Sequence, residues 1–109
     1  MKQLKFTDQA IEELDDILYW TITQFGARQA EAYKDLLLDR CRAIAEEKVV
    51  GRNCSLLLGA APRSVLQYIS SGEHFIVYLE GDQTIIVIGF LHQSSDLPRH
   101  VASLSKRLE

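Results

Sequence analysis

The sequence predicts an α+β protein in which a short N-terminal strand and an antiparallel helix hairpin pack on a small, mainly antiparallel β-sheet. Three observations carry this. Two adjoining stretches, from Asp8 to Phe25 and from about Ala27 to Ala45, repeat apolar residues at helical spacing. Two turn signals, Ser71-Gly72-Glu73 and Gly81-Asp82, then separate three stretches of β character. The last of these, Ile85 to Leu91, carries no charge and ends abruptly in polar residues. The implied order is β-α-α-β-β-β, with room for a C-terminal helix.

Lys2 to Phe6 alternates over a short length and reads as an edge strand. Thr7 is placed to cap the first helix, with Asp8 facing its positive end. Ala10, Ile11, Leu14, Ile17, Leu18, Ile22 and Phe25 form its core stripe, and Glu12, Glu13, Asp15 and Asp16 fall on the wet side. The acidic run is a solvated face rather than a metal site. Gly26 breaks the helix, and Ala30, Tyr33, Leu37, Cys41 and Ile44 hold one face of the next. So short a junction makes the two helices an antiparallel hairpin, which must bury its face against a further layer.

Val49 to Pro62 keeps no period and reads as a long connection, with a helical turn around Ser55 to Leu58. Its Leu56-Leu57-Leu58 run is expected to pack on the body or on a partner. Arg63 opens the β part, with strands from Ser64 to Ser70, His74 to Glu80 and Thr84 to Leu91. In the second, Phe75, Val77 and Leu79 share one face while His74, Ile76 and Tyr78 share the other. The third lacks alternation, as a strand buried on both faces does. Leu97 to Leu108 can add a terminal helix, with Asp96 as its cap, Pro98 in its first turn, and Lys106 and Arg107 at its negative end.

The chain has 109 residues, enough for one domain with a sizeable core. Its net charge of −3 runs against a protein that lives on nucleic-acid phosphates, so direct nucleic-acid binding is not expected. Cys41 and Cys54 form neither a metal spacing nor a disulfide framework, and Cys41 reads as a small core residue. There is no secretory segment and no membrane-length apolar run, so a cytoplasmic protein with reduced thiols, no membrane association, no metal and no cofactor is expected.

Three local patterns resemble a known family. The helix junction Phe25-Gly26-Ala27-Arg28-Gln29-Ala30, followed by Tyr33, is similar to the ParE pattern F-G-x-x-Q-A-x-x-Y. Gly51-Arg52 and Arg63-Ser64 resemble its G-R…R-S. Leu91-His92-Gln93-Ser94-Ser95-Asp96-Leu97-Pro98-Arg99-His100 is nearly the ParE signature L-H-Q-x-M-D-L-P-R-H. The element order likewise resembles the RelE/ParE toxin superfamily. Two departures stand out: Ser95 replaces the methionine of the signature, and Val49-Val50 stands where a proline is common.

The resemblance implies the toxin of a type II toxin–antitoxin system of the kind tied to plasmid stabilization. Such a toxin binds DNA gyrase, or another type II topoisomerase, and is held in a hetero-oligomer by a ParD-like antitoxin. His92, Ser95, Asp96, Arg99 and His100 are then the expected target-binding residues. An apolar groove between the hairpin and the sheet is expected to receive an antitoxin helix, with Tyr19, Trp20, Tyr33 and Leu38 at its rim. A RelE-type messenger-RNA nuclease is the alternative. Metal-free RNA cleavage needs a base, cations and an acid, for which Arg63, His92, Arg99 and His100 are the candidates. The acidic balance and the absence of any tyrosine after Tyr78 weigh against it. A module that binds the antitoxin with little toxicity is a third reading. Beside all of these stands a fold-keeping reading, in which Asp96 caps the last helix, Arg99 pairs with Asp96 and His92 bonds a neighbouring backbone.

Overall fold

The computed structural model describes residues 1–53 and 66–107. In chain order the elements are β1 (Gln3–Phe6), α1 (Asp8–Phe25), α2 (Ala27–Ala45), β2 (Arg52–Asn53), β3 (Leu66–Ser71), β4 (His74–Glu80), β5 (Thr84–His92) and α3 (Leu97–Arg107). The strands form one mixed sheet in the order β1-β5-β4-β3-β2. The α+β class, the edge position of β1, the helix hairpin and the three-stranded meander all follow the sequence expectation. The helical turn around Ser55, the triple-leucine run, Cys54, Arg63, Ser64 and Leu108 lie outside the described residues.

Local chemistry explains the helix ends. The Thr7 hydroxyl accepts the Ala10 amide at 3.1 Å, which satisfies one of the donors left unpaired at the start of α1. Gly26 has φ 92°, a conformation open to glycine, so α1 stops and α2 starts without an intervening loop. At the far end of α2, the Lys48 amide reaches Ala43 O at 2.9 Å and the Glu47 amide reaches Ile44 O at 3.0 Å. This double bond pattern is a Schellman stop, with Glu47 at φ 60° in the position usually taken by glycine.

Three features complete the sheet. Within the long connection after α2, Arg52 and Asn53 pair antiparallel with Tyr68 and Gln67, a strand too short to leave a period in the sequence. β1 pairs parallel with β5, Phe6 lying opposite Val87. The sheet is also covered on both faces. One core joins Leu37, Cys41 and Ile44 of α2 to Ile76, Tyr78, Ile85, Val87 and Phe90. The other joins Leu97 and Val101 of α3 to Leu66, Val77, Ile88 and Leu91. β5 thus has apolar neighbours on both sides, as its unbroken apolar run predicts.

A β-bulge sits in the middle of this strand. Val77 pairs with Gly89 but Tyr78 pairs with Val87, so Ile88 is an extra residue on β5. The extra residue reverses the alternation. Ile85 and Val87 face the hairpin, and beyond the bulge it is Phe90 that does so, while Ile88 and Leu91 face α3. Since β1 ends at Phe6, no strand among the described residues flanks β5 beyond Val87 on that side. There the Phe90 amide donates to Glu13 Oε1 at 3.2 Å. Glu13 is therefore not a purely solvated residue, although helical spacing places it with the wet side.

The apolar stripe of α1 is wider than the sheet can cover. Ala10 is buried and Leu14 and Ile17 pack at the edge of the core, but Ile11, Ile22 and Phe25 are 46, 48 and 64% exposed. These three were expected in the core. The C-terminal end of α1 overhangs the sheet and leaves Ile22 and Phe25 at the surface, while Ile11 is exposed near the other end of the helix.

Candidate functional site

Beneath that overhang lies a groove of about 570 Å³, bounded by α1, the start of α2, the β3–β4 turn and the end of β5. Asp16, Ile17, Trp20, Thr21 and Phe25 come from α1, Gln29 and Tyr33 from α2, and Glu73, His74 and His92 from the sheet. Trp20 and Phe25 meet edge to face, with ring centroids 5.9 Å apart, and Trp20 is 55% exposed.

A polar network closes the inner end. The Tyr33 hydroxyl accepts the Glu73 amide at 3.0 Å and lies 2.6 Å from His74 Nδ1. The hydroxyl and that nitrogen share a hydrogen bond whose direction follows the ring tautomer. Burial holds the His74 pKa below its usual value, the neighbouring His92 lowers it further, and Glu73 partly opposes both. Burial likewise pushes the Tyr33 hydroxyl up, with the Glu73 amide acting against it. The His74 and His92 rings meet edge to face with centroids 5.2 Å apart. His92 Nδ1 accepts the Ser94 amide at 3.0 Å, with the Ser94 hydroxyl 2.6 Å away, and its Nε2 stands 3.9 Å from Glu73 Oε2.

Gly72 explains how tightly this corner is made. The hairpin turn has Gly72 at φ 59°, and a Cβ there would come within 2.7 Å of the Tyr33 ring. Gln93 ties the following segment to the same turn: its amide donates to Glu73 O at 2.9 Å, and its side chain to Gly72 O at 3.1 Å.

The residues expected at the chain's end do not form one cluster. His92 joins the groove, because the bulge turns it to the hairpin face with Phe90. Ser95 is half-buried and its amide donates to His92 O at 2.9 Å. Asp96 caps α3, its Oδ1 accepting the Arg99 amide at 3.3 Å and its carbonyl the His100 amide at 3.0 Å. Arg99 and His100 are exposed on α3, which packs on the opposite face of the sheet through Leu97 and Val101. Arg63 lies outside the described residues, so its relation to these groups is not defined. Of the four rim candidates, Trp20 and Tyr33 line the groove. Tyr19 is 73% exposed and Leu38 half-buried, and neither is part of its wall.

Sequence reasoning passed over Glu73, His74, Gln93 and Phe25 as site residues. For His74 a signal existed, since it shares a strand face with Ile76 and Tyr78, which point at the helices. Gln93 sat inside the terminal motif, but only the sheet shows that it holds the β3–β4 turn. Among the described residues, no group of three or more His, Cys, Asp or Glu side chains is placed to hold a metal ion.

The family model of the ParE toxin of type II toxin–antitoxin systems (parDE) matches residues 4–97, which is most of the chain. The chain belongs to the ParE toxin family. A solved structure titled as a chromosomal ParDE system from P. aeruginosa superposes with a TM-score of 0.67 at 14% identity, over 84% of this chain and 96% of that one. At that identity the likeness concerns the fold. No curated protein matches. As a ParE-family member the chain is the toxin component of a type II system. No helix among the described residues is long and apolar enough to cross a membrane.

Proposed function

We propose that this toxin arrests growth by binding DNA gyrase, or a related type II topoisomerase, in the cytoplasm, and that a ParD-like antitoxin silences it by seating a helix in the groove. The observation that carries the antitoxin half is the exposed apolar overhang of α1, with Trp20 and Phe25 at the surface above a preformed groove. A helix laid there would bury both rings, and such coupled folding suits an antitoxin that is disordered when free. Tyr19 and Leu38 extend the contact beyond the groove itself.

The target-binding half rests on the terminal motif. His92 and Asp96 are engaged in local bonds, and Arg99 and His100 are exposed on a helix whose anchors are Leu97 and Val101. That arrangement supports a contact surface made of Ser95, Arg99 and His100, with His92 and Asp96 setting its shape. It supports proton transfer less well. His92 faces the hairpin while Arg99 and His100 belong to the helix on the other side, so an acid and a base do not converge on one atom. Replacing the signature methionine by Ser95 removes a flexible apolar contact from this surface and is expected to weaken the grip on the target.

Expression of the chain alone should stop growth with filamentation and DNA damage, and purified protein should inhibit supercoiling or trap cleaved DNA. Arg99→Ala should lower both effects without lowering the melting temperature. Ribosome-dependent cutting of messenger RNA with gyrase unaffected would overturn the proposal in favour of a nuclease. Unimpaired growth with antitoxin binding intact would leave an antitoxin-binding module.

A further inference from the structure

We propose that the groove selects a cationic amphipathic helix, one whose apolar face is bordered by lysine or arginine. This rests on the groove being the antitoxin's seat and adds the chemistry of the segment that fills it. The charges of the wall are the starting point: among the described residues it holds two carboxylates, Asp16 and Glu73, and neither lysine nor arginine. The two histidines are engaged within the site: His74 Nδ1 lies 2.6 Å from the Tyr33 hydroxyl, and His92 takes the Ser94 amide at its own Nδ1.

The dimensions fit a short helix. From Asp16 to Phe25 the wall follows α1 over ten residues, whose nine steps rise about 13 Å at 1.5 Å each, or about two and a half turns. An occupying helix of that length offers apolar anchors on one face at three- and four-residue spacing, facing Ile17, Trp20 and Phe25. Its flanking side chains then come to the carboxylates. An acidic flank would place like charges together at Asp16 and Glu73. A basic flank pairs with them, and the exposed Trp20 ring adds an attraction open only to cations. The net charge of the whole chain, −3, has the same sign and speeds encounter with a basic partner.

The test uses two synthetic helical peptides with the same leucine and phenylalanine face, bordered in one by lysines and in the other by glutamates. Trp20 is the only tryptophan in the chain, so its fluorescence in the intact protein reports on the groove without a label. The lysine peptide is expected to bind about tenfold more tightly, or by about 1.4 kcal/mol, in low salt. The double variant Asp16→Asn, Glu73→Gln should bring the two peptides to within about twofold of each other while keeping the Trp20 response. Asp16 is exposed and the Glu73 side chain is 79% exposed, so neither change disturbs the core. Equal binding of both peptides, or preference for the glutamate form, would overturn the charge selection and leave the groove as a docking site. If neither peptide perturbs Trp20, the docking reading fails and the selection with it.

Discussion

Replacing Tyr33 with phenylalanine removes one oxygen, yet that oxygen joins α2 to the β3–β4 turn. It accepts the Glu73 amide at 3.0 Å and shares a hydrogen bond with His74 Nδ1 at 2.6 Å. Each bond contributes about 0.5–1.5 kcal/mol net, and the exposed Glu73 amide can turn to water while the half-buried His74 nitrogen is less easily rehydrated. Tyr33→Phe should therefore cost about 1–2 kcal/mol, a fall in Tm of at least about 4 °C. A second readout follows the ring itself. Burial lowers the His74 pKa first and His92 second, and the substitution removes neither, so NMR titration of the ring proton should still show a pKa below the usual value while the Tm falls.

The same shift sets the pH dependence. In the folded protein His74 has a pKa below the 6.5 of the unfolded chain, so below pH 6.5 the unfolded state binds more protons. Its contribution to stability is complete above 6.5 and is lost as pH falls from there through the folded value. In Tyr33→Phe the burial that lowers the value remains, so the direction of the dependence should be kept. A variant with unchanged Tm would refute this account of the corner.

Three further outcomes are expected. Gly51→Ala should cost more than about 2 kcal/mol in urea denaturation, because a Cβ there would fall 2.1 Å from the hydroxyl of Tyr78, which is 1% exposed and bonded to Gln67 at 2.9 Å. Cys41 should resist iodoacetamide in the native protein and react on unfolding, as judged by peptide mass spectrometry. It is fully buried, and burial pushes its thiol up to about 12. Glu47→Gly should raise stability by about 0.5 kcal/mol in thermal melts, since it relieves a left-handed conformation at the end of α2 against a smaller entropic cost.

Every element but β2 was legible in the sequence, because each rests on short-range chemistry. Thr7 as a cap, Gly26 as a break, the alternation of β4 and the apolar run of β5 all depend on neighbours a few residues away. The terminal motif marked the family for the same reason, since a contiguous string can be read without a fold. Asp96 as a helix cap was equally visible.

The tertiary structure decided where those pieces face. Strict alternation would place His92 with Ile86 and Ile88, toward α3; the extra residue at Ile88 turns it to the hairpin instead, beside His74 and Tyr33. No local signal marks that bulge, because one unpaired residue in an apolar strand is defined only by the register of its partner. The exposed end of α1 was hidden for a related reason. Periodicity reports which residues are apolar, but the width of the sheet decides how many of them it covers. The sequence alone thus determined every element but β2, and the family, which depend on local order. Register and the extent of burial made one apolar stripe into both a core and a groove.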